Sequence, residues 1–225
     1  MSEADPKPSK NGKLGILIVD DHPIVRQGIR LLMGEEEDLY LWGEAESAAE
    51  AIRAMADAES PPDLAIIDLT LKDSSGLELI KDVRTRWPDV LVLVLSMRDE
   101  AFYAERCLRA GAKGYVTKEE GPVEVLKAIR AIVAGNVHLS GEMATRVLRR
   151  VTTGGESTGM DRLTDRELEV FRLIGNGLTT REVSERLHVS PKTVESHRER
   201  IKDKLGLDTA NELLKHAIQW VQCQQ

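Results

Sequence analysis

The sequence predicts two domains of different class: an α/β domain built on a doubly wound, five-stranded parallel sheet, and a second, all-α domain of four helices. Three observations predict this. Between Leu14 and about Gly135, five short apolar runs alternate with amphipathic segments, the pattern of strands buried on both faces and joined by helices. From Leu163 to Gln222 there is no strand pattern, only successive helix starts. Between the two, Thr152 to Gly159 (TTGGESTG) holds small and polar residues alone and reads as a linker. The 225 residues suit one large or two small domains. The expected organisation is a disordered tail over 1–12, an α/β domain over 13–137, a linker over 138–160 that can hold a short helix at Glu142 to Val151, and a helical domain over 161–225.

The strand runs are GILIV (15–19), LYLWGEA (39–45), DLAIID (63–68), VLVLVLS (90–96) and AKGYVT (112–117). Apolar residues at helical spacing follow each: Ile24, Ile29, Leu31 and Leu32; Ala48, Ala51, Ile52 and Met55; Leu77, Ile80 and Val83; Tyr103, Cys107 and Leu108; then Val123, Val125, Leu126, Ile129 and Ile132. In the helical part, Thr164 with Glu167 and Thr179 with Glu182 form potential capping boxes. Ser190 before Pro191 is an N-cap followed by an N1 proline, and Asp208 or Thr209 caps the last helix. Gly177 and Gly206 stand where helix ends call for a left-handed residue.

Composition excludes several classes of function. Lys plus Arg number 31 and Asp plus Glu 38, a net charge of −7, which argues against coating nucleic acid by bulk positive charge. Over 161–225 the two signs balance at 11 each, so the whole imbalance lies in the first 160 residues. Aromatics at 4% are too few for a single-strand stacking platform. The apolar runs are far shorter than a membrane span, and no basic start leads into an apolar stretch. Cys107 and Cys223 fit no metal spacing, so a reduced, cytoplasmic setting without membrane contact is expected.

The strand ends carry the chemistry. In a parallel α/β sheet, ligands bind at the carboxyl ends of the strands. The first strand ends in Asp20-Asp21 and the third in Asp68, so three carboxylates converge. Such a group repels itself unless a hard cation neutralises it, and Mg²⁺ suits oxygen donors. The fourth strand ends in Ser96, and Lys118 follows the fifth. A metal site, a carboxylate nucleophile, a hydroxyl and an ammonium together form the inventory for holding a phosphoryl group. Each residue alone has a structural reading: Asp21 and Ser96 as helix caps, Lys118 as a surface charge. All five at the correct strand ends favour the functional one.

The segments ILIVDDHPIVRQG, LAIIDLTLKDSSGLELI, LVLS and GAKGYVTK resemble the receiver domain of bacterial two-component response regulators, a flavodoxin-like fold, in order and spacing across the whole domain. The resemblance implies that Asp68 accepts a phosphoryl group from a sensor histidine kinase. It implies that Asp20, Asp21 and Asp68 bind Mg²⁺, with Thr70 adding its backbone carbonyl. Ser96 would bond a phosphoryl oxygen, Lys118 would pair with the phosphoryl group, and Tyr115 would be the aromatic whose rotamer follows the state of Ser96. One departure stands at Leu71-Lys72, where the family often has Met-Pro. It leaves the loop without the stiffening of proline and adds a cation near the site.

In the second domain, Val183 to Leu187 and Pro191 to Leu205 are two helical stretches joined by a short turn, the spacing of a DNA-binding helix-turn-helix. Val194, Ile201 and Leu205 share the inward side of the second stretch. Lys192, Glu195, Ser196, Glu199 and Asp203 lie opposite. The segment from Ser190 to Leu205 carries Lys192, Arg198, Arg200, Lys202 and Lys204 against Glu195, Glu199 and Asp203. LTDRELEVFRLIGNGLTTREVSERLHVSPKTVESHRERIKDKLGL resembles the LuxR-type helix-turn-helix domain almost continuously from 163 to 207. The resemblance makes the second stretch the DNA-reading helix, with Thr193, Arg198 and Lys202 as phosphate candidates beside Lys192. It makes Glu195, Ser196 and Glu199 base-edge candidates. His197 sits at the edge of the inward face and reads as a packing residue.

Receiver plus reader resembles the NarL/FixJ group of response regulators. That implies a phosphorylation-dependent transcriptional regulator of double-stranded DNA, a homodimer when phosphorylated, and not an enzyme beyond self-dephosphorylation. Leu213, Leu214, Ala217, Ile218 and Val221 mark a dimer-contact candidate on the last helix, part of which must pack on its own domain. The enzyme-class alternative is a phosphatase that passes external substrates through an aspartyl-phosphate. Such phosphatases of the haloacid-dehalogenase type usually place an Asp-x-Asp motif after the first strand, where this chain has Asp20-Asp21.

Overall fold

A computed structural model describes residues 12–71, 75–97, 101–152, 159–187 and 189–222. The expected tail as far as residue 11, Lys72, most of the Thr152 to Gly159 linker, His188 and Cys223 lie outside them. The chain divides into two compact units, Met1–Val147 and Leu148–Gln225.

The first unit alternates strand and helix without exception: β1 (Leu14–Val19), α1 (Pro23–Gly34), β2 (Leu39–Ala45), α2 (Ala48–Asp57), β3 (Leu64–Ile67), α3 (Gly76–Arg86), β4 (Leu91–Ser96), α4 (Ala101–Ala110), β5 (Gly114–Thr117) and α5 (Pro122–Val133). The strands of the sheet pair in parallel, in the order β2-β1-β3-β4-β5 followed by a sixth strand, β6 (His138–Leu139). Ile16 to Val19, Leu64 to Ile67 and Val92 to Leu95 are buried without interruption, as strands covered on both faces require. Ile16, Ile18, Leu64, Ile66, Leu93 and Leu95 pack with Ile29 and Met33 of α1 and with Val125, Ile129 and Ile132 of α5. Helices α2, α3 and α4 contact one another in series and bury Met55, Leu79, Ile80 and Cys107. The chain reverses direction across the sheet between β1 and β3, so their carboxyl ends open the crevice where such sheets hold ligands.

The sheet has six strands rather than five. β6 (His138–Leu139) adds two residues parallel to β5, with Gly114 opposite His138 and Tyr115 opposite Leu139. A run this short carries no period-2 signal, so it reads as loop in the sequence. Helix α6 (Gly141–Thr152) follows. Its Met143 and Val147, four residues apart, are buried, so the first unit extends ten residues beyond the expected limit at 137.

The second unit consists of a 3-10 turn at Met160–Arg162 and helices α7 (Asp165–Gly175), α8 (Thr180–Arg186), α9 (Pro191–Leu205) and α10 (Ala210–Gln222). Every helix starts at a predicted cap. Thr164 with Glu167 and Thr179 with Glu182 each complete both bonds of a capping box. Ser190 Oγ accepts the Thr193 amide at 3.1 Å, and Thr209 rather than Asp208 caps α10, its Oγ1 accepting the Glu212 amide at 3.1 Å. Gly177 and Gly206 adopt positive φ, 85° and 67°, the left-handed conformation that residues with a side chain rarely take.

Buried Glu167 ties this unit together. Its Oε2 accepts the Thr164 amide at 2.7 Å and the Lys204 ammonium at 2.6 Å, joining the start of α7 to the end of α9. Burial opposes its charge, but the Lys204 ammonium and the Thr164 donors outweigh burial and hold the carboxyl below the ordinary glutamate range. Helices α7 and α10 meet at Gly175, where an added Cβ would lie 2.4 Å from Ala217 O. Phe171 and Trp220 pack as tilted rings 5.9 Å apart. Leu213 and Ala217 of the dimer-contact candidate are fully buried, while Leu214 is exposed. Ile218 and Val221 are partly exposed, so only part of the face is used within its own unit.

Glu167→Gln is expected to lower the stability of the helical unit by about 1.5–3 kcal/mol at neutral pH, because a charged hydrogen bond becomes a neutral one. The folded carboxyl binds its proton less tightly than the unfolded one, so its contribution is complete above the ordinary glutamate range. It disappears as the pH falls through the lower folded value. Urea unfolding over a pH series will therefore show the difference between wild type and Glu167→Gln shrinking toward acid. Gly175→Ala is expected to destabilise the same unit by about 1–3 kcal/mol through overpacking, although alanine is the better helix former; the urea midpoint reads this directly.

Candidate functional site

Two strand ends build the acidic site. The amide of Asp20 donates to Ala45 O at 3.1 Å, and that of Asp68 donates to Val19 O at 2.9 Å. The ladders of β1 with β2 and of β3 with β1 thus continue into the two aspartates and aim them at the same crevice. Each is only 2% exposed. Lys118 Nζ stands 2.7 Å from Asp20 Oδ2 and 2.7 Å from Asp68 Oδ2, with its side chain 8% exposed. One ammonium bridges two buried carboxylates contributed by strands on either side of the switch point.

The electrostatics follow from this packing. Burial pushes the Asp68 carboxyl above its ordinary range, and the Lys118 charge only partly offsets that. For Lys118, burial works against the ammonium, but Asp68 and Asp20 outweigh it and raise its pKa. The Thr70 amide donates to Asp68 Oδ1 at 3.1 Å, so one oxygen of Asp68 takes a backbone donor and the other the lysine. Ser96 is fully buried at the end of β4. Its carbonyl accepts the Lys118 amide at 2.8 Å, which fixes the lysine beside the hydroxyl-bearing residue. Tyr115 on β5 is buried and pairs with Val94, one pleat before the pairing of Thr117 with Ser96.

The structure thus brings Asp20, Asp21, Asp68, Thr70, Ser96 and Lys118 to one end of the sheet. Donor atoms of Asp20, Asp21, His22 and Asp68 lie within 4.8 Å of one another. Asp21 Oδ1 is buried and accepts no hydrogen bond, although His22 Nδ1 lies 2.8 Å away. A buried, unsatisfied carboxylate oxygen among further carboxylates is a donor set that fits a hard divalent cation.

Three contributors escape the sequence reading. His22 places its ring against Asp20 and Asp21. Arg26 is buried, donates to Asp20 O at 2.6 Å and pairs with Glu44 and Glu46, holding the β1–α1 loop from the far side. Gly76 leaves no room for a Cβ, which would lie 2.0 Å from Asp68 O, so α3 packs directly on the backbone that carries Asp68. Proximity of Arg26 to Glu44 is a tertiary fact with no sequence signal. Gly76, lying inside the motif that carries Asp68, did have one.

On the helical unit, Val194 and Ile201 of α9 are fully buried and Leu205 partly so, while Lys192, Thr193, Glu195, Ser196 and Glu199 are exposed. Arg198 and Lys202 are half-buried and paired within the helix, Arg198 Nε lying 3.7 Å from Glu195 and Lys202 Nζ 2.8 Å from Glu199. The Thr193 hydroxyl lies 2.8 Å from the Ser190 hydroxyl, in the cap itself. His197 is half-buried, and burial followed by the Arg166 charge lowers its pKa.

Residues 16–130 match the family described as response regulator receiver domain, and residues 161–217 match the bacterial regulatory proteins of the luxR family. A putative transcriptional regulator of Pseudomonas aeruginosa is 37% identical over 202 residues, 90% of this chain and 96% of that protein. The DNA-binding transcriptional activator DevR/DosR of Mycobacterium tuberculosis is 34% identical over 86% of this chain and 88% of its own. Among solved structures, RcsB from Salmonella enterica serovar Typhimurium, bound to promoter rprA in the presence of the phosphomimetic BeF3-, is similar with a TM-score of 0.62 and 28% identity. That match covers 91% of this chain and 98% of the other. With its buried Asp-Lys-Asp bridge at the switch point of the sheet and its capped helix-turn-helix unit, the chain belongs to the NarL/FixJ group of two-component response regulators, in which a receiver domain is joined to a LuxR-type DNA-binding domain.

Proposed function

We propose that Asp68 of this transcriptional regulator accepts a phosphoryl group from the phosphohistidine of a sensor kinase, and that the acyl phosphate controls binding of α9 to double-stranded DNA. The observation that carries this reading is the single ammonium of Lys118 shared by buried Asp20 and Asp68 at 2.7 Å each. In the transfer, an oxygen of Asp68 attacks phosphorus, a P–O bond forms, and the P–N bond to the kinase imidazole breaks. The Thr70 amide holds the other Asp68 oxygen and orients the nucleophile. Lys118 is positioned to exchange its bond to Asp68 for one to a phosphoryl oxygen, and buried Ser96 at the neighbouring strand end to donate to another.

Asp20, Asp21 and Asp68, with the Thr70 carbonyl, would hold Mg²⁺, which when bound supplies positive charge to the phosphoryl oxygens. The added negative charge draws Lys118 and Ser96 toward the phosphoryl group, and buried Tyr115 on β5 follows the change at Ser96. Hydrolysis of the acyl phosphate by water resets the site, so the protein times its own signal and needs no external substrate.

On the DNA side, the exposed Lys192, Thr193, Glu195, Ser196 and Glu199 and the half-buried Arg198 and Lys202 form the contact set. Phosphorylation favours a homodimer matched to a repeated half-site. This is supported by the RcsB neighbours, which include two dimers bound to two parallel DNAs. No helix among the described residues is long and apolar enough to cross a membrane, in keeping with action in the cytoplasm.

Incubation with acetyl phosphate and Mg²⁺ is expected to add one phosphoryl mass to the intact protein and none to Asp68→Ala. An unmodified wild type, or an equally modified variant, defeats the reading. Mg²⁺ at tenfold over its Kd is expected to stabilise the receiver unit by about 1.4 kcal/mol. Asp21→Asn should cancel most of that increment in thermal unfolding.

A further inference from the structure

The first residue of α8 is joined to the second and third turns of α9 by a three-residue network. The Thr180 hydroxyl, at the first residue of α8, donates to Glu195 Oε1 at 2.7 Å and accepts from Arg198 Nη1 at 3.3 Å. Arg198 Nε lies 3.7 Å from Glu195 Oε2, closing the triangle. The Glu195 side chain is 55% exposed and that of Arg198 only 17%. A carboxylate is therefore held from behind by two helices while staying open to solvent. Glu199, one turn further along α9, has no such cross-helix anchor among the described residues; its partner is Lys202 on the same helix.

We infer that Glu195, positioned by Thr180 and Arg198, is a specificity residue that selects cytosine at one position of each DNA half-site; this rests on the reading of α9 as the DNA-contacting helix. An ionised carboxylate only accepts hydrogen bonds. In the major groove guanine presents N7 and O6 and thymine presents O4, all acceptors, so either base would face the carboxylate with repulsion and a lost donor. Adenine offers its N6 donor, but beside the N7 acceptor. Cytosine offers the N4 donor with no acceptor next to it on that edge. The selection thus works by excluding the wrong bases as much as by bonding the right one.

The anchor makes the selection sharp. A solvated glutamate loses rotamer freedom when it docks, whereas this one is already held. Arg198 also lowers the cost of bringing a negative side chain close to the phosphates. Thr180 is in this sense a positioning residue, acting on DNA through Glu195.

The test uses the full-length protein, with and without acetyl phosphate, and a duplex library with a randomised centre. Sequencing the bound DNA gives the site. Affinities are then measured for that duplex and its single-base substitutions. Wild type is expected to show one position per half-site where cytosine is favoured about tenfold. Glu195→Ala should erase the preference at that position alone, and Glu195→Gln should move it to adenine, whose N6 and N7 match an amide. Thr180→Val should weaken the preference while Thr180→Ser, which keeps the hydroxyl, restores it, with all variants melting like wild type. If wild type selects a site and Glu195→Ala reads it with unchanged discrimination, the inference is overturned while the DNA-binding function stands. Thr180→Val discriminating as well as wild type overturns the positioning role. A wild type that selects no DNA in either state overturns the functional reading itself.

Discussion

The ammonium of Lys118 between Asp20 and Asp68 is the interaction on which the receiver unit turns. Two carboxylates this deeply buried are tolerated only where positive charge meets them, and Lys118 is held within 2.7 Å of both. The arrangement needs the parallel sheet in its observed order. β1 and β3 deliver the aspartates side by side, and the β5 end delivers the lysine across β4, where the Ser96 carbonyl fixes its backbone. The aliphatic strands behind the site matter to the chemistry for the same reason. By excluding water they strengthen every charge interaction at the strand ends, and they leave Asp68 raised in pKa and dependent on a cation.

The helical unit solves a different problem with a similar device. A unit this small has little apolar surface to bury, so helix ends and a buried ion pair carry more of its definition. Glu167 serves both purposes, completing the Thr164 cap and reaching Lys204 on α9. The close approach of α7 and α10 at Gly175 supplies the rest. Helix α9 is thereby fixed on one side by Val194 and Ile201 and kept polar on the other, where Thr180 crosses from α8 to order the side chains that face outward. Charge over 161–225 is balanced overall, so this unit presents individually placed cations and carboxylates and not a bulk positive field.

Much of this was legible in the residues. Strand runs such as GILIV and LVLVLS announce burial on both faces. Asp20, Asp21, Asp68, Ser96 and Lys118 sit immediately after or at the ends of those runs, which is why they could be assigned to one edge before any contact was known. Caps were equally readable, because Thr164, Thr179 and Ser190 act on backbone groups three residues away; for the last helix Asp208 and Thr209 stood level until the structure chose Thr209. The two-residue β6 was not readable, since its pairing with β5 is set by the partner strand and not by its own sequence. The bonds of Arg26 to the Asp20 carbonyl and of Thr180 to Glu195 were invisible for the same reason, joining residues that the fold alone brings together.

The amino-acid sequence by itself determined the alternation of strands and helices, the helix ends and the membership of the acidic site, because periodicity, capping and strand-end chemistry act over a few residues; its motifs carried the resemblance to the family. Only the tertiary structure decided that one lysine serves two aspartates, that Asp21 keeps an unsatisfied oxygen, that Gly76 must be bare against the Asp68 carbonyl, and that Glu195 is anchored while Glu199 is not. Those facts depend on how side chains and backbone from different elements meet in space, which the packing of each core sets.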